Sequence, residues 1–270
     1  MEEKRMITVT VDGERYSYPK GTPYRAVAAD FQGRYPNDIL LVNRDGKLCE
    51  LHKQADRDCA LKFLTARDVP GIQTYERSAV FLMLKAFYDV VGRGNIEGVS
   101  VGYSLSRSLF IRARGAFALD QPLLDQVEGR MRELSAAALP IKKRSVSTDD
   151  AIELFQEEGL FQKARLLSFR VNSHVNVYEL DGFVDYFYGY MVPDTGYVRC
   201  FGLELYEDGF VLRLPTLKDP DRLGEFRPSV KVFHELRAST LRAQALSVSN
   251  VAELNTIISQ GGATPLILAH

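Results

Sequence analysis

Ile7, Val9 and Val11 alternate with Thr8 and Thr10, the period of a half-buried strand. Asp12 and Gly13 stand where a hairpin turn belongs, ahead of a second short strand at 15–18. Thr22 and Pro23 predict a helix start, as N-cap and first helical residue. Val27, Ala28 and Phe31 share one face of that helix, and Gly33 is placed to close it. Residues 39–42 read as a buried strand, Asn43 to Gly46 as a turn, 47–51 as the returning strand and 60–64 as the last. This order of elements describes a small ubiquitin-like β-grasp domain over residues 1–66.

Residues 66–75, with Pro70 and Gly71, predict a linker. A helix follows over 76–91, with Ala79, Val80, Leu82, Met83, Ala86, Phe87 and Val90 as its apolar residues and Gly92 as its end. A hairpin is expected at 99–105 and 108–113. Asp120 caps the next helix, whose stripe runs Leu123, Leu124, Val127, Met131, Leu134, Ala138. After a strand at 141–146, Ser147 and Asp150 resemble a capping box for a helix stopping near Gly159. Phe169, Val171, Val175 and Val177 alternate as a strand would, and further strands are expected at 183–187, 197–205 and 210–214. The pattern predicts an α+β domain over 67–218 and a polar, proline-containing start to a helical connector over 219–270. The apolar run at 265–269 stops at its most strand-like point, the expectation for a chain that continues.

Composition narrows the classes. The 270 residues are 46% hydrophobic and 26% charged, ordinary for a globular chain of about two domains. With 34 Lys plus Arg against 35 Asp plus Glu, no overall basic field draws in nucleic acid. The charge is uneven, basic over 100–145 and acidic over 146–225, as two solvated faces or a polarised cleft would be. No apolar run approaches the roughly 20 residues of a membrane span, and the first six residues lack a signal-peptide core. Cys49, Cys59 and Cys200 have no short paired spacing, so free thiols in a reducing cytoplasm are expected. The four histidines show no metal-site spacing.

Motif chemistry is sparse. Gly46-Lys47 lies in a turn, and Gly92-Arg-Gly94 has no strand before it, so neither reads as a phosphate loop. No Gly-x-Ser-x-Gly elbow exists to make His174 a catalytic base, and Asp149 and Asp150 sit in a helix first turn, where they favour the dipole. Tyr186, Tyr188 and Tyr190 alternate, with Phe187 and Met191 opposite. Such tyrosines serve either packing or base stacking.

Several stretches resemble the N-terminal half of bacterial threonyl-tRNA synthetase. Residues 6–66 resemble its TGS domain. Asp58-Cys-Ala-Leu-Lys-Phe-Leu-Thr65 and Tyr75-Glu-Arg-Ser-Ala-Val-Phe-Leu-Met-Leu84 are similar to the start of its editing domain. Gln126 to Leu134, Leu139-Pro140 and Ala151-Ile-Glu-Leu-Phe155 continue the likeness. Its most specific part is Phe183-Val-Asp-Tyr-Phe-Tyr-Gly-Tyr-Met-Val-Pro-Asp-Thr-Gly196, and it covers about 6–215. In that family two His at i and i+4 join a Cys-x3-His pair in a metal-type cluster. The resemblance places these four at Arg77, Phe81, Phe187 and Met191, so all four ligand types are replaced. Zinc takes thiolate, imidazole or carboxylate, and Arg77 carries a permanent charge. The editing reaction is therefore expected to be absent. Phe81, Phe187 and Met191 become apolar packing, or Arg77, Asp185 and Tyr188 rim a reshaped cleft for an anion or nucleotide.

Residues 227–270, with Val248-Ser-Asn-Val-Ala-Glu-Leu-Asn255, are similar to the segment leading into the kinase of long bacterial uridine kinase-like proteins. That resemblance implies a non-catalytic regulatory module whose partner is a C-terminal kinase domain using ATP and magnesium, with no cofactor in this chain. A metal-free aminoacyl-tRNA deacylase, a tRNA-binding module and a structural arm of a homo-oligomer are the other expectations. A cytoplasmic chain with no membrane partner is expected in each case.

Overall fold

The structure is a computed structural model describing residues 5–170, 172–246, 248 and 251–261. The chain divides into two compact units, one of residues 1–142 and 179–226, the other of 143–178 and 227–270.

The first unit opens with β1 (Met6–Val11) and β2 (Glu14–Pro19), turned by Asp12 and Gly13 at φ 51° and 85°. Next come β3 (Thr22–Pro23), α1 (Tyr24–Phe31), β4 (Ile39–Arg44), β5 (Lys47–Glu50), β6 (Gln54–Ala55) and β7 (Cys59–Thr65). The sheet order is β2-β1-β7-β4-β5, with β1 and β7 parallel at its centre and antiparallel pairs outside. This is the expected β-grasp sheet. Tyr24, Val27, Ala28 and Phe31 of α1 are buried in one cluster with Val9, Val42 and Phe63. Burying side chains of this size contributes about 1.5–3 kcal/mol each.

Two local expectations change. Thr22 does not cap α1; it pairs with Ala55 in the β3–β6 bridge, and its hydroxyl donates to the Pro19 carbonyl at 2.7 Å. Gly33 does not close the helix either. The chain tightens into a 3-10 turn over 32–34, and Tyr35, extended because Pro36 follows, ends it.

The predicted linker is mostly helix. α2 (Val69–Val91) begins seven residues ahead of Glu76, so only 66–68 are left between the grasp sheet and the helix. Pro70 sits in the first turn, where a missing N–H leaves no bond unmade. Gly71 presses on the preceding strand: a Cβ there would stand 1.9 Å from the Thr65 carbonyl oxygen. Asp68 precedes the helix, but its carboxylate accepts from the Thr65 amide at 2.9 Å instead of capping.

Phe81, Leu82, Met83, Ala86 and Phe87 are buried without a polar face between them, so α2 runs through the interior. Phe87 stacks on Phe210 at 5.9 Å and meets Phe117 edge-on. Around α2 lie β8 (Ile96–Leu105), β9 (Ser108–Gly115), α3 (Gln121–Ala136), β12 (Phe183–Tyr186), β13 (Gly202–Tyr206) and β14 (Gly209–Arg213). β13-β14-β9-β8 form an antiparallel sheet. Asp120 caps α3 by accepting from Leu123 N at 2.9 Å, as expected. Leu124, Val127, Met131 and Leu134 are buried, but Ala138 lies past the helix end at positive φ.

The second unit holds residues 143–147 of β10 (Lys142–Ser147), α4 (Thr148–Glu157), α5 (Phe161–Leu167), residues 174–178 of β11 (His174–Leu180), α6 (Val230–Ala245) and α7 (Val251–Ser259). Ser147 caps α4, accepting from Asp150 N at 3.0 Å. α5 has no counterpart in the sequence reading, and its end places Phe169 ahead of β11 rather than in it. Val171 and the apolar run 265–269 lie outside the described residues. Among the described residues no helix is long and apolar enough to cross a membrane.

Candidate functional site

The strand expected at 183–187 ends at Tyr186, and the strand expected from 197 begins only at Gly202. Between them the chain is a loop, with a 3-10 turn at 195–197. Tyr186, Tyr188 and Tyr190 therefore do not alternate on one strand face.

Three side chains fasten the loop. Arg77, on α2, donates from Nη1 to the Tyr190 carbonyl at 2.7 Å. Its guanidinium lies flat against Gly189, whose φ is +120°; a Cβ there would stand 2.5 Å from Cζ. One residue on, the buried Ser78 hydroxyl donates to the Thr74 carbonyl at 2.8 Å and accepts from Val192 N at 3.0 Å. It also stands 3.5 Å from the Met191 sulfur. Glu50, at the end of β5, reaches across from the grasp sheet and accepts from Met191 N at 3.0 Å.

Below these bonds the site is apolar. Phe81 is fully buried, its ring 5.4 Å from Phe187 and 5.7 Å from Phe183. Met191 is buried beside them on the loop. The structure thus brings Arg77, Phe81, Phe187 and Met191 to one corner between α2 and the loop. A guanidinium, two phenyl rings and a thioether do not fit a zinc ion, which needs imidazole, thiolate or carboxylate. Among the described residues no group of three or more His, Cys, Asp or Glu is placed to hold a metal.

The three residues expected to rim a cleft are not alike. Asp185 is 1% exposed, and its Oδ1 accepts from Tyr186 N at 2.6 Å. Tyr188 is 83% exposed and turns to solvent. Arg77 lies between them in exposure. Burial pushes the Tyr88 and Tyr190 phenols up, with Asp185 adding to the first and Cys49 and Glu50 to the second. Burial also raises the Glu76 carboxyl, and the neighbouring Arg77 offsets part of that rise.

Ser78, Glu50 and Gly189 were missed as site residues. Ser78 carries no sequence signal, because a lone serine inside a helix is common. Glu50 sits far away in sequence, and only the fold brings it to the loop. Gly189, between two aromatic residues, was the one legible hint of a close approach.

The loop continues into further bonds with the grasp sheet. Asp194 is buried and accepts from Gly196 N at 3.0 Å, and Arg25 of α1 pairs with it at 2.8 Å. Arg199 pairs with Asp38, and Asn37 donates to Asp221 at 2.7 Å. Thr195 locks the turn, donating to the Leu134 carbonyl at 2.6 Å and accepting from Leu139 N at 2.8 Å. A cleft of about 410 Å³ lies among Asn37, Asp38, Tyr75, Arg199 and Cys200. Tyr75 closes its floor: the phenol donates to the Cys200 carbonyl at 2.9 Å and accepts from Cys200 N at 2.7 Å. Burial pushes both the Tyr75 phenol and the Cys200 thiol up, so neither ionises readily.

A β-grasp sheet leads here into an α+β domain built around one buried helix, an architecture consistent with an editing-like α+β domain. The chain is similar to threonine–tRNA ligases. It is 27% identical to that of Symbiobacterium thermophilum over 197 residues, 71% of this chain and 29% of the relative. It is 28% identical to that of a Polaromonas species over 204 residues, 73% of this chain and 31% of the relative. The corresponding ligase of Porphyromonas gingivalis is 24% identical over 203 residues, 73% and 30%. The chain spans about three tenths of the length of these relatives. No family model matches it.

Proposed function

We propose that this chain is a tRNA-binding module, related to the editing part of threonyl-tRNA synthetase, that holds a tRNA end without metal-dependent hydrolysis. The similarity of about seven tenths of the chain to threonine–tRNA ligases carries the reading. In this reading residues 1–66 act as a TGS-like domain, 67–218 as the editing-like domain and 219–270 as a connector, in the cytoplasm.

The local chemistry supports binding over turnover. Arg77, Phe81, Phe187 and Met191 offer no general base and no Lewis acid. Tyr188 presents an open aromatic face on which an unstacked base can lie. Arg77 fixes the loop that carries it. Asp185 supports the strand end from inside. The kinase-regulator reading, with its ATP and magnesium, draws nothing from the three relatives above, all of them ligases of tRNA, so the tRNA reading stands ahead of it.

Fluorescence anisotropy with end-labelled tRNA tests this. The expected result is saturable binding that weakens with salt. Tyr188→Ala should weaken it by about 5- to 100-fold, the range for losing one stacked base. A parallel assay with mischarged tRNA should release no amino acid above a buffer blank. Release sensitive to Arg77→Ala would replace the reading with a metal-free deacylase, and no tRNA binding at all would end it.

A further inference from the structure

The cleft beside Tyr75 does not end at its own lining. A second cleft, of about 520 Å³, adjoins it, and Asp38, Tyr197 and Arg199 line both. The two are lobes of one groove, and the ion pair of Asp38 with Arg199 is its waist. Every residue of the groove belongs to the first unit. Each lobe falls within the roughly 300–1,000 Å³ of small-molecule sites. Asp38 stands in the irregular segment before β4 and Arg199 in the one before β13, so neither is held in a strand. Their side chains are 36% and 65% exposed. An exposed pair of this kind adds little to stability and opens readily.

The other polar pairs of the groove are held in place. In the second lobe Arg25 meets Asp194 at 2.8 Å, and the buried Asp194 side chain also accepts from the Gly196 amide. At the far end of the first lobe the buried Asn37 donates to both Asp221 oxygens, at 2.7 and 2.8 Å, and accepts from Arg67 at 2.7 Å. That leaves Asp38 and Arg199 as the pair able to exchange partners. Beside them Leu40, Ala66 and Pro220 give the first lobe an apolar wall above the Tyr75 floor.

We propose that this groove binds a free α-amino acid with an apolar side chain. The ligand's carboxylate takes the Arg199 guanidinium, whose fork suits two parallel hydrogen bonds. Its ammonium takes the Asp38 carboxylate, and its side chain enters the first lobe. One ion pair becomes two, and no charge is left alone. A simple anion would take Arg199 and strand Asp38, and a simple cation would take Asp38 and strand Arg199. Leaving one member of a charge pair without its partner works against binding, so the zwitterion is the ligand that the waist favours. The inference stands apart from tRNA binding at Tyr188, which lines neither lobe.

Isothermal titration calorimetry of the full chain with L-leucine tests the site. N-acetyl-L-leucine, which lacks the ammonium, and L-leucine methyl ester, which lacks the carboxylate, are titrated beside it. L-leucine should bind saturably, and each blocked form should bind about 10- to 100-fold more weakly, the range for losing one charge-assisted contact. Arg199→Gln and Asp38→Asn should each weaken L-leucine by a similar factor, with far-UV circular dichroism as the folding control. A second readout needs no variant. Cys200 lines the first lobe and Cys49 lines neither, and both are partly exposed. Saturating L-leucine should slow the alkylation of Cys200 by iodoacetamide and leave Cys49 unchanged, as read by peptide mass spectrometry. No heat and no protection of Cys200 at about 10 mM L-leucine overturn the inference. So does a blocked form that binds as well as the free amino acid, since the groove then reads one charge only. Binding that neither variant weakens and that leaves Cys200 unprotected lies elsewhere on the chain and overturns it too.

Discussion

Ser78 shows how much one side chain holds in this molecule. Its hydroxyl is a donor to the Thr74 carbonyl and an acceptor for Val192 N, both within a buried site. Ser78→Ala leaves the Val192 amide without its partner, and an unsatisfied buried donor costs about 1–3 kcal/mol. Urea unfolding should show that loss, whereas Tyr188→Ala, at an open position, should leave the midpoint within error. Phe81→Ala removes the ring on which Phe183 and Phe187 pack and should cost about 3–5 kcal/mol. Glu76 gives a pH signature. Burial raises its pKa above the ordinary 4.5, so the folded state holds its proton to higher pH than the unfolded chain does. The penalty is full above the raised pKa, shrinks as pH falls through it and vanishes below 4.5. Glu76→Gln should therefore raise the melting temperature at neutral pH and leave it unchanged in acid. Equal shifts at both pH values would remove the carboxyl as the cause.

Among the elements, the junction of β7 and α2 is the most constrained. Gly71 admits no side chain, because its neighbour is a backbone oxygen that cannot rotate away. Gly71→Ala should cost at least about 2 kcal/mol, visible as a lower thermal midpoint, while Gly33→Ala, where nothing lies within 4 Å, should be neutral. The edge strand β8 illustrates a different constraint. It shifts register against β9 between Ile96 and Gly98 and again between Val101 and Ser104. Such bulges break the straight row of edge groups that another strand would need, so β8 is a poor template for pairing despite its length. The linker expected at 66–75 failed for a physical reason. Pro and Gly mark turns only when their backbone limits are the cause. Here Pro70 fits a first helical turn, and Gly71 answers a tertiary contact.

At the scale of the whole chain, the grasp sheet and the editing-like helix belong to one compact unit. Glu50 to Met191 N, Arg25 to Asp194 and Asp38 to Arg199 all run from the grasp domain to the loop. A chain shortened to 67–270 loses all three, together with the β7 contact under Gly71. Its melting temperature should fall well below that of the full chain, with new binding of a hydrophobic dye. An unchanged melt would mean that the loop is held from the α2 side alone. Because the chain forms two compact units, calorimetry on the full chain should resolve more than one transition.

Periodicity and turn chemistry alone determined the β-grasp strands, the buried helix and its Gly92 end, and the Asp120 and Ser147 caps. These depend on neighbours a few residues away, and such forces are written locally. The sequence also marked positions 77, 81, 187 and 191 as lacking cation-binding groups, since side-chain chemistry does not wait for folding. What only the tertiary structure decided was the company these residues keep. Glu50 and Met191 are far apart in the chain, and their hydrogen bond exists because the sheet and the loop are brought together. The loop after Tyr186 also departs from its strand-like alternation, because Arg77 and Ser78 take its backbone groups that a ladder would otherwise use. Long-range bonds of this kind leave no period in a sequence, so they become visible only once the chain has closed on itself.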